Sequence, residues 1–319
     1  MRFRRVLLLQ IFAVTALAAC AGPSDAPIDA STIAPDAAAL AAAEQAAATP
    51  ASSFETAETI DALGYGLVGD GHTDNTQAFR GLLAGGNRTI HVPAGDYVTG
   101  RLEFEPRTVL VLAPGVTIRD AGLLDTYDRL LNIETHDVQI IGLGARIVAD
   151  RDLYTSGEWR HGVYIFGAER VRIEGLESSS HGGDGFYIGG PPGKASSDVT
   201  LVGCKADNNR RQGLSITSAQ HVRVIDCEFT YTAGTAPQFG IDLEPNDPPD
   251  MLKDILILRP QTRNNLGGGI MIALKGLVGG PTQPVDVTII DHVSEQESPP
   301  LYTSVPPTLA VSLRYGPST

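Results

Sequence analysis

The chain has 319 residues, with 24 Lys and Arg against 37 Asp and Glu, and a formal charge of −13 at pH 7. A chain this acidic offers a polyanion no overall attraction, which excludes nucleic acid as a general partner and means that an acidic polysaccharide needs a local basic cleft. Three cysteines, Cys20, Cys204 and Cys227, also exclude a disulfide-rich scaffold.

Arg2, Arg4 and Arg5 precede the apolar run "VLLLQIFAVTALAA", so residues 1–19 read as a signal peptide. The end of that run, Leu17-Ala18-Ala19-Cys20, resembles the lipobox of bacterial lipoproteins. That resemblance implies acylation of Cys20 and attachment to the membrane through the lipid alone; Ala21 in place of Asp implies the outer membrane. Residues 20–58 are the acylated cysteine and a tether rich in Ala and Pro, too poor in large apolar side chains to offset the entropy of ordering. Within it, Asp36 to Ala48 is weakly helical by its alanines. Loss of the signal removes three arginines and no acid, leaving 21 basic and 37 acidic residues and a charge of −16.

Residues 59–319 suffice for one large domain. "HTDNTQAFRGLLAGG" from His72 predicts a helix capped by Thr73 or Asp74, with apolar positions at Phe79, Leu82 and Leu83 and a stop at Gly85-Gly86. Strands "TIHVP", "YVTG" and "TVLVLAPGVTI" follow.

Five glycine-led segments then recur: "GVYIF" from Gly162, "GFYIG" from Gly185, "GLSIT" from Gly213, "GIDLE" from Gly240 and "GIMIA" from Gly269, at spacings of 23, 28, 27 and 29 residues. A second set of strands falls between them: "VRIEG" from Val171, "VTLVG" from Val199, "VRVID" from Val222 and "ILILR" from Ile255, with "VTIID" from Val287 after the last. Two short strands per period, with almost no helical pattern between them, predict an all-β fold: a solenoid of parallel strands whose open N-terminal end is closed by the capping helix. "GPPGK" from Gly190 lacks the glycine spacing and hydroxyl of a phosphate loop. Asn208-Asn209 and Asn264-Asn265 recur where solenoid turns bend and are expected to bond backbone there. Cys204 and Cys227 share one column and read as stacked core thiols in preference to a disulfide. The tail from Ser294 to Thr319 has one clear strand, "TLAVSLR".

"YGLVGDGHTDNTQAFRGLLAGGNRTIHVPAGDYVTG", Tyr65 to Gly100, resembles the opening of the pectate-lyase-like superfamily, with its GDG-x-TD-x-T-x-A core and later V-PAG-x-Y. With the rungs, the resemblance runs from about Ile60 to about Val293. It implies the right-handed parallel β-helix and leaves the reaction open, since that superfamily includes lyases, hydrolases, epimerases and phage tail spikes. "DGFYIGG" from Asp184 is similar to the DGFD-P-H element of alginate C5-epimerases in three residues only, Tyr187 replacing the second aspartate. The polygalacturonase elements are absent, and ligands of the pectate-lyase calcium type find no match; calcium stays open and no other cofactor is indicated.

Residues one and three after each glycine are apolar and face the core, so three outward columns follow. One runs Tyr164, Tyr187, Ser215, Asp242, Met271; the next Phe166, Gly189, Thr217, Glu244, Ala273; the third His161, Asp184, Gln212, Phe239, Gly268. Titratable and aromatic groups crowd the middle rungs and thin out at the fifth, as expected of a saccharide groove. The candidate catalytic residues are His181, Asp184, Tyr187, Arg211, Asp242 and Glu244, and the candidate substrate-binding residues are His161, Tyr164, Arg210, Ser215 and Thr217. The leading expectation is a lyase cleaving uronic-acid polysaccharide by β-elimination, with Arg211 or Arg210 neutralising the carboxylate and His181 or Tyr187 moving protons. Inverting hydrolysis by Asp184 and Asp242, C5-epimerisation and a non-catalytic glycan-binding envelope protein are the alternatives.

Overall fold

The computed structural model describes residues 37–48 and 54–317, apart from 121, 155 and 281–283. The signal peptide, Cys20 and the rest of the Ala/Pro-rich segment lie outside the described residues. The strands pair in parallel in two sheets of 18 and eight strands, and together they form a right-handed parallel β-helix.

The eight-stranded sheet carries the glycine-led rungs. Its strands are β1 (Leu102–Glu103), β2 (Arg129–Ile133), β3 (His161–Phe166), β4 (Phe186–Gly189), β5 (Leu214–Ile216), β6 (Phe239–Leu243), β7 (Gly268–Ala273) and β8 (Leu301–Ser304). The register stacks Val163, Phe186, Leu214, Ile241 and Ile270 on one another, all fully buried. Each such side chain stabilises the fold by about 1.5–3 kcal/mol relative to exposure. The same register aligns Tyr164, Tyr187, Ser215, Asp242 and Met271 on the outer face, as the alternation predicts.

The bends are held by asparagine. Asn209 accepts the His181 N–H at 2.9 Å and donates to the Ser178 carbonyl at 3.1 Å, and Asn265 repeats this with Thr232 and Phe229. Their neighbours Asn208 and Asn264 sit at φ 55 and 57, the left-handed region that asparagine tolerates better than most residues. Cys204 and Cys227 are free, buried thiols, with the Cys204 N–H 3.3 Å from Cys227 Sγ.

Two helices flank the solenoid, α1 (Ala37–Ala48) and α2 (Thr76–Leu83). Within the segment read as a tether, α1 sets Leu40 against an outer apolar stripe that includes Ile225, Leu258 and Ile290. In α2, Phe79, Leu82 and Leu83 are buried as expected and close the N-terminal end. The boundary differs: Asn75 is the cap residue, while Asp74 Oδ1 accepts from the Thr76 N–H at 2.9 Å. Asn75 turns inward to bond Val68 and Val98 and so cannot serve the helix amides. The tail holds two strands, Leu301–Ser304 and Val311–Pro317, where the sequence showed one; "LYTS" lies between proline pairs that mask its pattern.

Candidate functional site

The outer faces of β3 to β6, with the loops beside them, enclose a cavity of about 380 Å³. One wall is aromatic. His161 stacks on Tyr164 and on Tyr187 at centroid distances of 5.8 and 4.9 Å, and Tyr164 stacks on Tyr187 at 5.0 Å. Strands one spacing apart hold such rings in contact because parallel register repeats every side chain at the same height. The Arg129 guanidinium lies 3.7 Å over the Tyr164 ring. The Tyr187 hydroxyl is 3.0 Å from Thr217 Oγ1.

The opposite side is built around Arg211. Its guanidinium nitrogens lie 3.2 Å from Glu158, 3.4 Å from Asp184 and 4.0 Å from Glu244, and Ser215 Oγ accepts from Nη1 at 3.4 Å. Burial works against its charge, but Asp184, Asp242, Glu158 and Glu244 outweigh burial and raise its pKa. Asp184, fully buried, is pushed up to about 6 by burial, with Arg211 pulling the other way. Asp242 is pushed well above the carboxylate range by burial first and by the charge of Glu244 second, against the pull of Arg211.

The Gln212 side chain orients Asp242. Its Oε1 accepts from the Phe239 N–H at 2.7 Å, so its Nε2 is the atom that donates to Asp242 Oδ2 at 2.8 Å. Asp242 Oδ1 has no hydrogen-bond partner among the described residues. Glu244 follows two residues later on the same face and stays in register, its N–H donating to the Ile216 carbonyl; its side chain is 42% exposed. His161 Nδ1 accepts from the Asp184 N–H at 2.9 Å. The remaining proton of the neutral ring therefore sits on Nε2, which has no partner among the described residues. Burial, then Arg211 and Arg129, holds His161 well below the usual imidazole pKa.

The sequence-predicted residues divide. His161, Tyr164, Tyr187, Arg211, Thr217, Asp242 and Glu244 line the cavity. Asp184 and Ser215 lie buried behind it, under Arg211. His181 is elsewhere: it is fully buried inside the solenoid, against the backbone of Gly162, where a side chain would strike its ring. Arg210 turns away too, its Nη1 donating to the Gly157 carbonyl at 2.5 Å. Tyr187, expected to move protons, is not held as a phenolate by a neighbouring arginine. Burial dominates and raises the Tyr187 pKa, with Arg211 the weakest opposing influence.

Residues missed by sequence reasoning are Gln212, Arg129, Glu158, Tyr127 and Trp159. Gln212 was on the outward column beside Asp184, and that position was the only signal the sequence offered for it. The others come from loop positions or a rung earlier than the repeat used to define the face. Among the described residues no three His, Cys, Asp or Glu side chains are placed to hold a metal ion; the carboxylates converge on Arg211 instead.

Residues 148–276 match the family described as "Right handed beta helix region". The uncharacterized protein YclG of Bacillus subtilis (strain 168) is 27% identical over 222 residues, covering 58% of this chain and 38% of that protein. Alginate lyase 7 of Azotobacter vinelandii is 29% identical over 144 residues, covering 43% of this chain and 15% of the lyase. The chain thus spans well under half the length of either relative. Among solved structures, the N-terminal fragment of bacteriophage phi29 gene product 12 superimposes with a TM-score of 0.61 at 17% identity, covering 76% of this chain and 43% of that one. The family match, the structural likeness and the observed strand register agree on one architecture: the chain is a right-handed parallel β-helix.

Proposed function

We propose that the protein is a polysaccharide-cleaving glycosidase in which Asp242 protonates the departing glycosidic oxygen and Glu244 is the partner carboxylate. One observation carries this reading: Asp242 is a buried carboxyl pushed toward its protonated form, beside a half-exposed carboxylate on the same strand face. Residues two apart on a strand point to one face with Cα atoms about 6.6 Å apart, which turns both carboxyl groups toward the cleft. A carboxyl kept protonated by burial and a charged neighbour is what a general acid at neutral pH requires. Asp184, the partner expected from the sequence, lies behind Arg211 and serves better to hold the guanidinium and His161 in place. The His161 Nε2–H is left to donate to a substrate hydroxyl.

The cleft favours an uncharged saccharide. Five carboxyl groups and two guanidinium groups line it, and both guanidinium groups are engaged, Arg129 on a ring face and Arg211 among carboxylates. This cleft therefore lacks the basic character that a uronic-acid polymer needs.

The likeness to Alginate lyase 7 supports a second reading, β-elimination at the same cleft. Its weakness is the base: His181 is inside the solenoid and Tyr187 has a raised pKa. Incubation with uncharged and uronic-acid polysaccharides tests both readings. New reducing ends without the ultraviolet absorbance of an unsaturated sugar support hydrolysis. Absorbance overturns it in favour of the lyase, and binding without either signal leaves a glycan-binding protein.

The lipobox-like Leu17 to Cys20 supports attachment to a membrane through an acylated Cys20, and Ala21 after it supports the outer membrane. Loss of membrane fractionation and of fatty-acid labelling in Cys20→Ser is the expected result; retention of both refutes it.

A further inference from the structure

We infer that Tyr127 and Trp159 form a distal sugar-binding subsite, so that the saccharide lies along the solenoid axis on one side of Asp242 and turnover depends on chain length. This rests on the reading of the cleft as a saccharide site.

The two rings are in contact, centroids 4.7 Å apart and tilted 43°, yet remain 65% and 41% exposed. Large aromatic rings left in solvent at the mouth of a cavity forgo burial that a bound apolar surface restores. The C–H face of a sugar ring suits them, since its partly positive hydrogens meet the negative face of an aromatic ring.

The pair is held in place before any ligand arrives. The Tyr154 hydroxyl donates to Asp120 in a buried contact, and the Arg160 guanidinium lies 4.4 Å over the Tyr154 ring while Nη2 donates to Thr126 Oγ1 at 3.2 Å. Arg210 pins the carbonyl of Gly157, two residues before Trp159. Arg129 Nη1 donates to the Tyr127 carbonyl at 2.6 Å. A loop fixed in this way loses little freedom on binding, so stacking energy appears as affinity.

The subsite is also continuous with the cleft. Tyr127 leads to Arg129, which lies over Tyr164, which stacks on Tyr187. From β2, the strand of Arg129, to β6, the strand of Asp242, is four strand spacings, about 19 Å. Beyond Asp242 the track ends. Met271, its neighbour in register, is buried, and Gly276 packs so tightly on the Pro245 carbonyl that a β-carbon there would overlap it.

Trp159 is the only tryptophan in the chain, so its fluorescence reports on the subsite. The full chain carrying Asp242→Asn is titrated with gluco-, xylo-, manno- and galacto-oligosaccharides of two to six units, by fluorescence and by calorimetry. At least one series is expected to perturb the emission when long and not when short. Tyr127→Ala is expected to weaken the long ligand about tenfold and leave the short one unaffected. In the protein with Asp242 intact, kcat/KM on the long substrate falls by a similar factor. Equal affinity for long ligands with and without Tyr127→Ala, or calorimetric binding of the long ligands that leaves Trp159 emission unchanged, overturns the subsite. Binding that needs Tyr127 and perturbs Trp159 emission but is followed by no cleavage upholds it and overturns the glycosidase reading. Cleavage indifferent to Tyr127→Ala does the reverse, and no binding by any series overturns both.

Discussion

The Gln212 side chain spans one rung, accepting from the Phe239 backbone and donating to Asp242 Oδ2 at 2.8 Å. It fixes which oxygen of Asp242 is occupied and leaves Oδ1 without a partner among the described residues. A carboxyl held this way at the cleft can carry its proton on the unbonded oxygen.

That protonation is measurable without a substrate. A carboxylic-acid carbonyl band is expected in the infrared spectrum at pH 7, absent in Asp242→Asn. Glu244→Gln removes the charge that raises Asp242, so the band should bleach at lower pH than in the unmodified protein. Arg211→Met removes a charge that lowers it, so the band should persist to higher pH. Asp242→Asn is expected to slow turnover by a factor of about 10²–10⁴, the usual contribution of a positioned acid. No band at pH 7 refutes the assignment of Asp242 as the acid.

Asp184 makes a stability prediction of definite sign. Its folded pKa of about 6 exceeds the ordinary 3.8, so between those values the folded state binds the proton more tightly than the unfolded chain. Stability from this group is therefore greatest below pH 4 and lost as pH rises through 6, by about 3 kcal/mol at most. Urea unfolding of the unmodified protein and of Asp184→Asn at pH 4 and pH 7 checks this. The variant's stability relative to the unmodified protein should improve between the two pH values; a constant difference refutes it.

The solenoid was legible because its register is written twice, in the glycine spacing and in the alternation after each glycine. Both depend on parallel stacking that repeats each side chain at one height, so Asp242, Glu244, Tyr187 and Thr217 fell on the correct face. His161 and Asp184 were less legible: the column before the glycine bends into the turn, so one member lines the cleft and the other lies beneath it. Alternation carries no information about loops, which is why Arg210 was misjudged and Trp159 overlooked. Gln212 was missed because its function depends on reaching the neighbouring rung, a distance that sequence spacing does not encode.

The cysteine pair gives a third prediction. Cys204 and Cys227 are buried, and burial first, then the neighbouring thiol, pushes the Cys227 pKa well up. A thiol kept protonated and inaccessible is a poor nucleophile. Both are expected to resist alkylation in the folded protein and to react together in urea, as read by peptide mass. Rapid labelling of either under native conditions, or recovery of a Cys204–Cys227 disulfide, contradicts this.

His181 separates a structural from a chemical role. Its ring is fully buried, neither ring nitrogen bonds another side chain among the described residues, and burial, partly offset by the Ile147 backbone, lowers its pKa to about 3. A histidine whose folded pKa lies below the ordinary 6.5 stabilises the fold fully above that value and loses the contribution as pH falls, because the unfolded chain takes up a proton the folded one refuses. Between pH 7 and pH 5 the loss is about 2 kcal/mol. His181→Leu keeps similar bulk and removes the proton site, so its stability should change less over that interval than that of the unmodified protein, as read by urea midpoints. At pH 7 the variant should turn substrate over as fast as the unmodified protein. Turnover slowed about a hundredfold or more, the scale of a lost proton-transfer group, with the fold intact, would restore His181 to the proton-moving role expected from the sequence.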